Sequence, residues 1–107
     1  MVESNVALDQ IFGALADVTR RDILKRVWKA EHTITELAEP YAMSLAAIAK
    51  HISILEKAGL ITKRRMGKKK IIQIQPKTIK VVTAYLSEYE KLLSSRFSAL
   101  EKLLEEQ

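Results

Sequence analysis

The chain has 107 residues, 48% of them hydrophobic, no cysteine, and a formal net charge of +5. That length suits a single domain, residues 1–107, with a modest core; the missing cysteine excludes disulfides, thiolate metal sites and a cysteine nucleophile. No apolar run approaches the ~20 residues of a membrane-spanning helix, and the opening MVESNVALDQIF has neither a basic leader nor an unbroken apolar core, so a cytoplasmic protein is expected.

In chain order, Val6, Leu8, Ile11, Phe12 and Leu15 recur at mixed threes and fours and predict an amphipathic helix to about Ala16. Asp17 has the chemistry of an N-cap, because its carboxylate accepts the free amides of a following turn. A second helix is expected from Val18 to about Lys29, with Ile23, Leu24, Val27 and Trp28 on one face and Trp28 in the core. TITE, Thr33 to Glu36, is a capping box that opens a short third helix with Leu37 inward and Pro40 near its end. Ser44 caps a fourth helix, residues 44–57, whose Leu45, Ile48, Ile52 and Leu55 make the expected buried stripe. Gly59 fits the position just past its end.

The next stretch, LITKRRMGKKKIIQIQ, has β-branched residues at both ends and a glycine in its middle. It predicts a hairpin over 60–75, with strands Leu60 to Arg65 and Lys69 to Gln75 and a turn at Met66 to Lys68. Six of the eight residues from Lys63 to Lys70 are cationic. Residues 60–80 carry 8 Lys/Arg and no Asp/Glu, whereas residues 1–59 carry 7 against 8 and residues 81–107 carry 3 against 5. The positive excess is therefore one local patch, the footprint of a nucleic-acid-binding surface. A nuclear localisation signal is the competing reading of such a run, but those signals sit in flexible segments and this one is enclosed by strands.

Pro76 ends the second strand and suits the start of a last helix, about 77–105. Ile79, Val82, Leu86, Tyr89, Leu93, Phe97, Leu100 and Leu104 keep an apolar stripe running to its end. About 28 residues at ~1.5 Å each make ~42 Å, longer than a domain of this size is wide. The surplus apolar surface calls for another chain, so a homodimer through this helix and the first is expected. The interface residues are Leu8, Ile11, Phe12, Val82, Leu86, Tyr89, Leu93, Phe97 and Leu100.

Four helices, a two-stranded hairpin and a fifth helix make a mainly α fold with a small β-hairpin, the order of a winged helix-turn-helix. On that scaffold the fourth helix faces the major groove and the hairpin is the wing. Opposite the buried stripe lie Ala46, Ala47, Lys50, Ser53, Ile54 and Lys57, a short-chained cationic face. The wing carries Arg64, Arg65, Lys68, Lys69 and Lys70, placed for phosphates or the adjacent minor groove.

ALADVTRRDILKRV, ITELAEPYAMSLAAIAKHISILEKAGLI and KRRMGKKKIIQIQP together resemble the ArsR family of winged-helix repressors. The resemblance covers roughly residues 8–76, and Lys50-His51 ahead of ISILEKAGLI is its most specific part. It implies a homodimeric repressor on an inverted-repeat double-stranded DNA operator, with the first and last helices forming the dimer. By position it implies DNA contacts from Ser44, Ala46, Ala47, Lys50 and His51, phosphate contacts from Arg20 and Arg21, and wing contacts from Arg64, Arg65, Lys68 and Lys69.

The chain departs from the family pattern at two points. Where relatives read SQPAVSKH it reads SLAAIAKH, so Leu45, Ala46 and Ala49 stand in place of Gln, Pro and Ser. Gln reads adenine through paired hydrogen bonds, whereas Leu and Ala offer contact with a thymine methyl, which shifts affinity toward phosphates and DNA shape. Family metal sites use cysteines, or acidic residues and histidines on the last helix; this chain has no cysteine, and its two histidines, His32 and His51, lie elsewhere. No metal, cofactor or catalytic role is expected, since Ser/His/Asp groupings and Gly-rich phosphate loops are also missing and Glu88 and Glu90 diverge on their helix. Two further readings compete with an operator-specific repressor: an architectural DNA binder without a defined operator, and a winged helix used for protein contact.

Overall fold

The computed structural model describes residues 2–106, with side-chain surroundings described from Ala7 onward. Its elements are α1 (Val2–Leu15), α2 (Val18–Lys29), β1 (His32–Thr33), α3 (Ile34–Ala38), α4 (Leu45–Lys57), β2 (Ile61–Met66), β3 (Lys69–Ile74) and α5 (Pro76–Glu105). Val6, expected on the inward stripe of the first helix, lies outside the described side chains.

Local chemistry sets most of the boundaries. The Asp17 carboxylate accepts the Arg20 amide at 3.0 Å, and the Ser44 hydroxyl accepts that of Ala47 at 3.1 Å. At Thr33 both halves of the capping box form: the Glu36 amide donates to the Thr33 hydroxyl at 3.1 Å, and the Thr33 amide donates to the Glu36 carboxylate at 2.8 Å. Gly59, at φ +78°, lets the chain leave α4 through paired bonds from the Gly59 amide to the Glu56 carbonyl (2.9 Å) and from the Leu60 amide to the Leu55 carbonyl (3.0 Å). That pairing is a Schellman motif, which needs a left-handed residue at this position. The hairpin closes over Gly67 and Lys68, with Gly67 at φ +62° as the first loop residue, the place where a type II′ turn demands glycine.

The core gathers one to three buried residues from each of six elements, Ile11 and Ala14, Ile23 and Val27, Leu37, Ile48, Ile52 and Leu55, Ile61 and Ile72, together with Leu60 between α4 and β2. The sheet carries a strand more than the expected hairpin. β1 pairs antiparallel with β3, His32 opposite Ile72 and Thr33 opposite Ile71, giving the order β1-β3-β2.

Three side chains depart from their expected places. Trp28 is 54% exposed; Ile23 and Val27 take the core-facing positions of α2, and the neighbouring Leu24 and Trp28 stripe falls at the edge beside Leu15. Leu45 is 55% exposed because α4 begins one turn beyond the core, which Ile48 is the first to reach. Ile54, expected on the open face, instead packs partly against the core.

The last helix behaves differently from the others. Ile79 and Val82 pack on the core and the Tyr85 ring meets Phe12 at 5.9 Å, but no residue of α5 is fully buried. Beyond Tyr85 the helix leaves the body, and the chain measures 68 × 31 × 20 Å. Its radius of gyration, 18.7 Å, exceeds the ~13 Å of a compact chain this long. The overhang exposes Leu86, Tyr89, Leu92, Leu93, Phe97, Leu100, Leu103 and Leu104.

Candidate nucleic-acid interface

Helix α4 offers solvent three parallel strips, each spaced by threes and fours. Ala46, Lys50, Ser53 and Lys57 form the central one, with Ala46, Lys50 and Lys57 exposed and Ser53 half-buried. Ala47, His51 and Ile54 turn toward the corner between α1 and α2, and all three are half-buried. Leu45 and Ala49 turn the other way, toward the wing.

On the wing side, Leu45 and Ala49 of α4 share an open cleft of about 660 Å³ with Lys68, Lys69 and Lys70, floored by Ile34 and bordered by Glu36 and Glu39. The wing tip and the first half of α4 thus border one space. Lys70, expected among the wing cations but not among the contacts that the family resemblance implies, lines this space with Lys68 and Lys69. Glu36 beside these lysines has its carboxyl held below the ordinary value, first by the Thr33 amide and hydroxyl, with His32 and Lys69 adding smaller pulls.

The expected cations divide into two groups. Lys50 is exposed on the open face of α4, and Lys68 and Lys69 are exposed at the wing tip. Arg65, also exposed, folds its Nε onto the Gly67 carbonyl at 3.3 Å and so stays at the turn. Arg64 instead reaches back to Glu31 at 3.3 Å, while the other oxygen of that carboxylate accepts from Gln73 at 2.9 Å. This pair ties the sheet to the end of α2, at sites too exposed to add much stability.

Arg20 and Arg21 both serve the C-terminus of α1. Arg20 donates to the Ala14 and Gly13 carbonyls at 2.7 and 3.1 Å, and Arg21 donates to the Leu15 carbonyl at 2.7 Å. A helix end leaves its last carbonyls without intrahelical partners, and these two guanidiniums supply them. The remaining Arg20 nitrogen lies 3.2 Å from His51 Nδ1, with Asp17 3.8 Å from the same atom. Asp17's carboxyl is held below its ordinary value, first by the Arg20 amide, which outweighs the desolvation that opposes it, with lesser pulls from the neighbouring His51 ring and Arg20 guanidinium. The Ser44 hydroxyl, expected to touch DNA, caps α4.

Of the expected interface residues, Phe12, Leu86, Tyr89, Leu93, Phe97 and Leu100 are exposed, and Leu8 and Val82 are half-buried. Ile11 is 2% exposed, so its side chain belongs to the chain's own core. Among the described residues no group of His, Asp or Glu is arranged to hold a metal ion, and no helix is long and apolar enough to cross a membrane.

A helix-turn-helix domain model matches residues 15–64, from the end of α1 into the wing. The chain is 45% identical over 71 residues to the uncharacterized HTH-type transcriptional regulator YuzN of Bacillus subtilis, a stretch that makes up 60% of this chain and 77% of that protein. It is 33% identical over 60 residues to the transcriptional repressor SdpR of the same organism, covering 56% of this chain and 67% of that one. A crystal structure of an ArsR family transcriptional regulator superposes with a TM-score of 0.79 at 37% identity, covering 85% of this chain and 94% of that chain. With its helix-turn-helix, its wing and these likenesses, the chain belongs to the ArsR family of winged helix-turn-helix transcriptional regulators.

Proposed function

We propose that the protein is a homodimeric repressor that binds an inverted-repeat operator, with α4 in the major groove and the wing on the flanking phosphates or minor groove. The observation that carries this reading is the shared cleft: the exposed start of α4 and three wing-tip lysines face the same space. A duplex laid on α4 would bring a phosphate strand past Lys68, Lys69 and Lys70. The central strip supports close approach, because Ala46 and Ser53 are short and Lys50 and Lys57 are cationic. Leu45, Ala46 and Ala49 present methyl groups rather than amides, which favours thymine contacts and shape over paired hydrogen bonds.

Dimerisation is supported by α5. Its overhang bears apolar side chains that the body of the chain does not cover, and Ile79, Leu86, Leu93 and Leu100 recur every seventh residue, the spacing of a helix-pairing seam. Two-fold symmetry would repeat α4 at a half-site spacing of one turn of DNA, ~34 Å or a multiple. The test is competition binding on the DNA upstream of the protein's own gene in excess nonspecific duplex. A repressor of this kind is expected to keep a preference of ~10³ or more. No preference would leave an architectural binder, and no DNA binding would leave a protein-contact module.

A further inference from the structure

At the corner between α1 and α2, one guanidinium joins the backbone of one helix to the ring of another. Two of its nitrogens, Nε and Nη2, hold the Ala14 and Gly13 carbonyls, and Nη1 lies 3.2 Å from His51 Nδ1. A guanidinium only donates and stays protonated. The contact is therefore a hydrogen bond only when Nδ1 is the bare, accepting nitrogen, and a neutral imidazole then carries its proton on Nε2. The competing carboxylate of Asp17 would favour the other tautomer, but at 3.8 Å from Nδ1 it lies outside hydrogen-bonding range, and it already accepts the Arg20 amide. Nε2 has no partner among the described residues, and no side-chain nitrogen or oxygen there is both buried and unpaired. Nε2–H must therefore open to solvent, on the helix that the proposed function docks on DNA.

We infer that Arg20 is a positioning residue that acts through His51: it fixes the ring as the Nε2–H tautomer and presents that N–H outward as a neutral donor for a DNA phosphate. This rests on the docking of α4 proposed above, and it replaces the direct phosphate contact that the family resemblance implies for Arg20. The same guanidinium holds the end of α1, so the ring's orientation is tied to the helix that precedes the DNA-binding unit. His32 gives an internal contrast. Its Nδ1 lies 2.7 Å from the Ala30 carbonyl, which only accepts, so His32 is the Nδ1–H tautomer.

The test begins without DNA. Two-bond proton–nitrogen correlation spectra of the imidazoles are recorded at about pH 8, where an ordinary histidine, with a pKa of about 6.5, is neutral; a His32→Gln variant assigns the two rings. His51 is expected with a protonated Nε2 and a bare Nδ1, and His32 with the reverse. Arg20→Met should release the His51 preference while leaving the His32 pattern, which reports that the fold is intact; Arg20→Lys, keeping one donor and the charge, should restore part of it. A His51 ring found as Nδ1–H, or protonated on both nitrogens, overturns the inference.

The second arm measures binding to a random-sequence DNA duplex. Arg20→Met should weaken binding about tenfold, the size of one hydrogen bond, without changing the salt dependence; loss of a direct phosphate contact would lower the slope by about 0.9. In a His51→Ala background the same change should cost less than about twofold. A lowered slope, or an equal cost in both backgrounds, overturns the role through His51. Failure of the wild-type chain to bind the duplex at all overturns the docking of α4 and the phosphate role with it, whatever the tautomer, so the two failures are distinguishable.

Discussion

Replacing Leu93 and Leu100 with Glu tests the part of the molecule whose shape is hardest to account for in a single chain. Both lie on the seven-residue seam of α5, at 55% and 53% exposure. Full burial of a leucine is worth roughly 1.5–3 kcal/mol, so covering the exposed half of each side chain contributes about 1 kcal/mol per site. A symmetric dimer contains each site twice, so the double substitution removes about 4 kcal/mol of apolar burial and brings four carboxylates against an apolar seam. The dimer dissociation constant is expected to rise by at least ~10³. Sedimentation equilibrium across the micromolar range reads this directly. The body should survive, because α5 packs on the core through Ile79 and Val82, which the substitutions leave in place; its denaturant midpoint should hold while the overhang loses helicity, as an unpacked helix of that length does in water. A wild-type chain that is monomeric throughout that range, or a double variant that associates as the wild type does, would refute the reasoning.

Other perturbations separate roles that look alike in the sequence. Lys68→Ala with Lys69→Ala should lower the salt slope of DNA binding by about two, whereas Arg64→Ala should lower it by less than one, because Arg64 is turned toward Glu31; equal effects would argue against that division. Gly59→Ala forces a side chain into φ +78° and sets its Cβ 3.0 Å from the Thr78 hydroxyl, and urea titration should show a loss of about 1–2 kcal/mol. Ile52→Ala, at a fully buried site of α4, should cost about 2–5 kcal/mol in the same titration. Asp17's carboxyl is lowered from an ordinary value of 3.8 in the folded chain, so its stabilising effect is complete above that value and fades as the pH falls below it toward the folded value. Asp17→Asn should remove that share of the acid sensitivity, and an unchanged pH profile of the melting temperature would show that the cap's charge has no effect.

Signals that act within a few residues could be read from the chain alone. Asp17, Thr33 with Glu36, Ser44, Gly59 and Pro76 each satisfy or terminate a turn next to themselves, so they marked the helix ends where the structure has them. The long apolar stripe of α5 was equally legible, since its periodicity exceeds what a body of this size can cover. The wing followed from glycine, β-branched flanks and concentrated charge.

Tertiary structure decided what lies between elements. β1 is two residues long and has no pattern of its own; it is a strand only because β3 passes beside it. Val27 and Trp28 are adjacent and both apolar, and only the direction of α2's neighbours selects which one is buried. The arginines were the hardest to place, because a guanidinium on a long flexible stem takes whatever acceptor the fold brings within reach. Arg64 meets Glu31 from 33 residues away, and Arg20 meets the end of α1 and a ring 31 residues further on. Composition and spacing thus located the charge and the helices, while the packing of helix ends against one another determined which charges remain free at the surface.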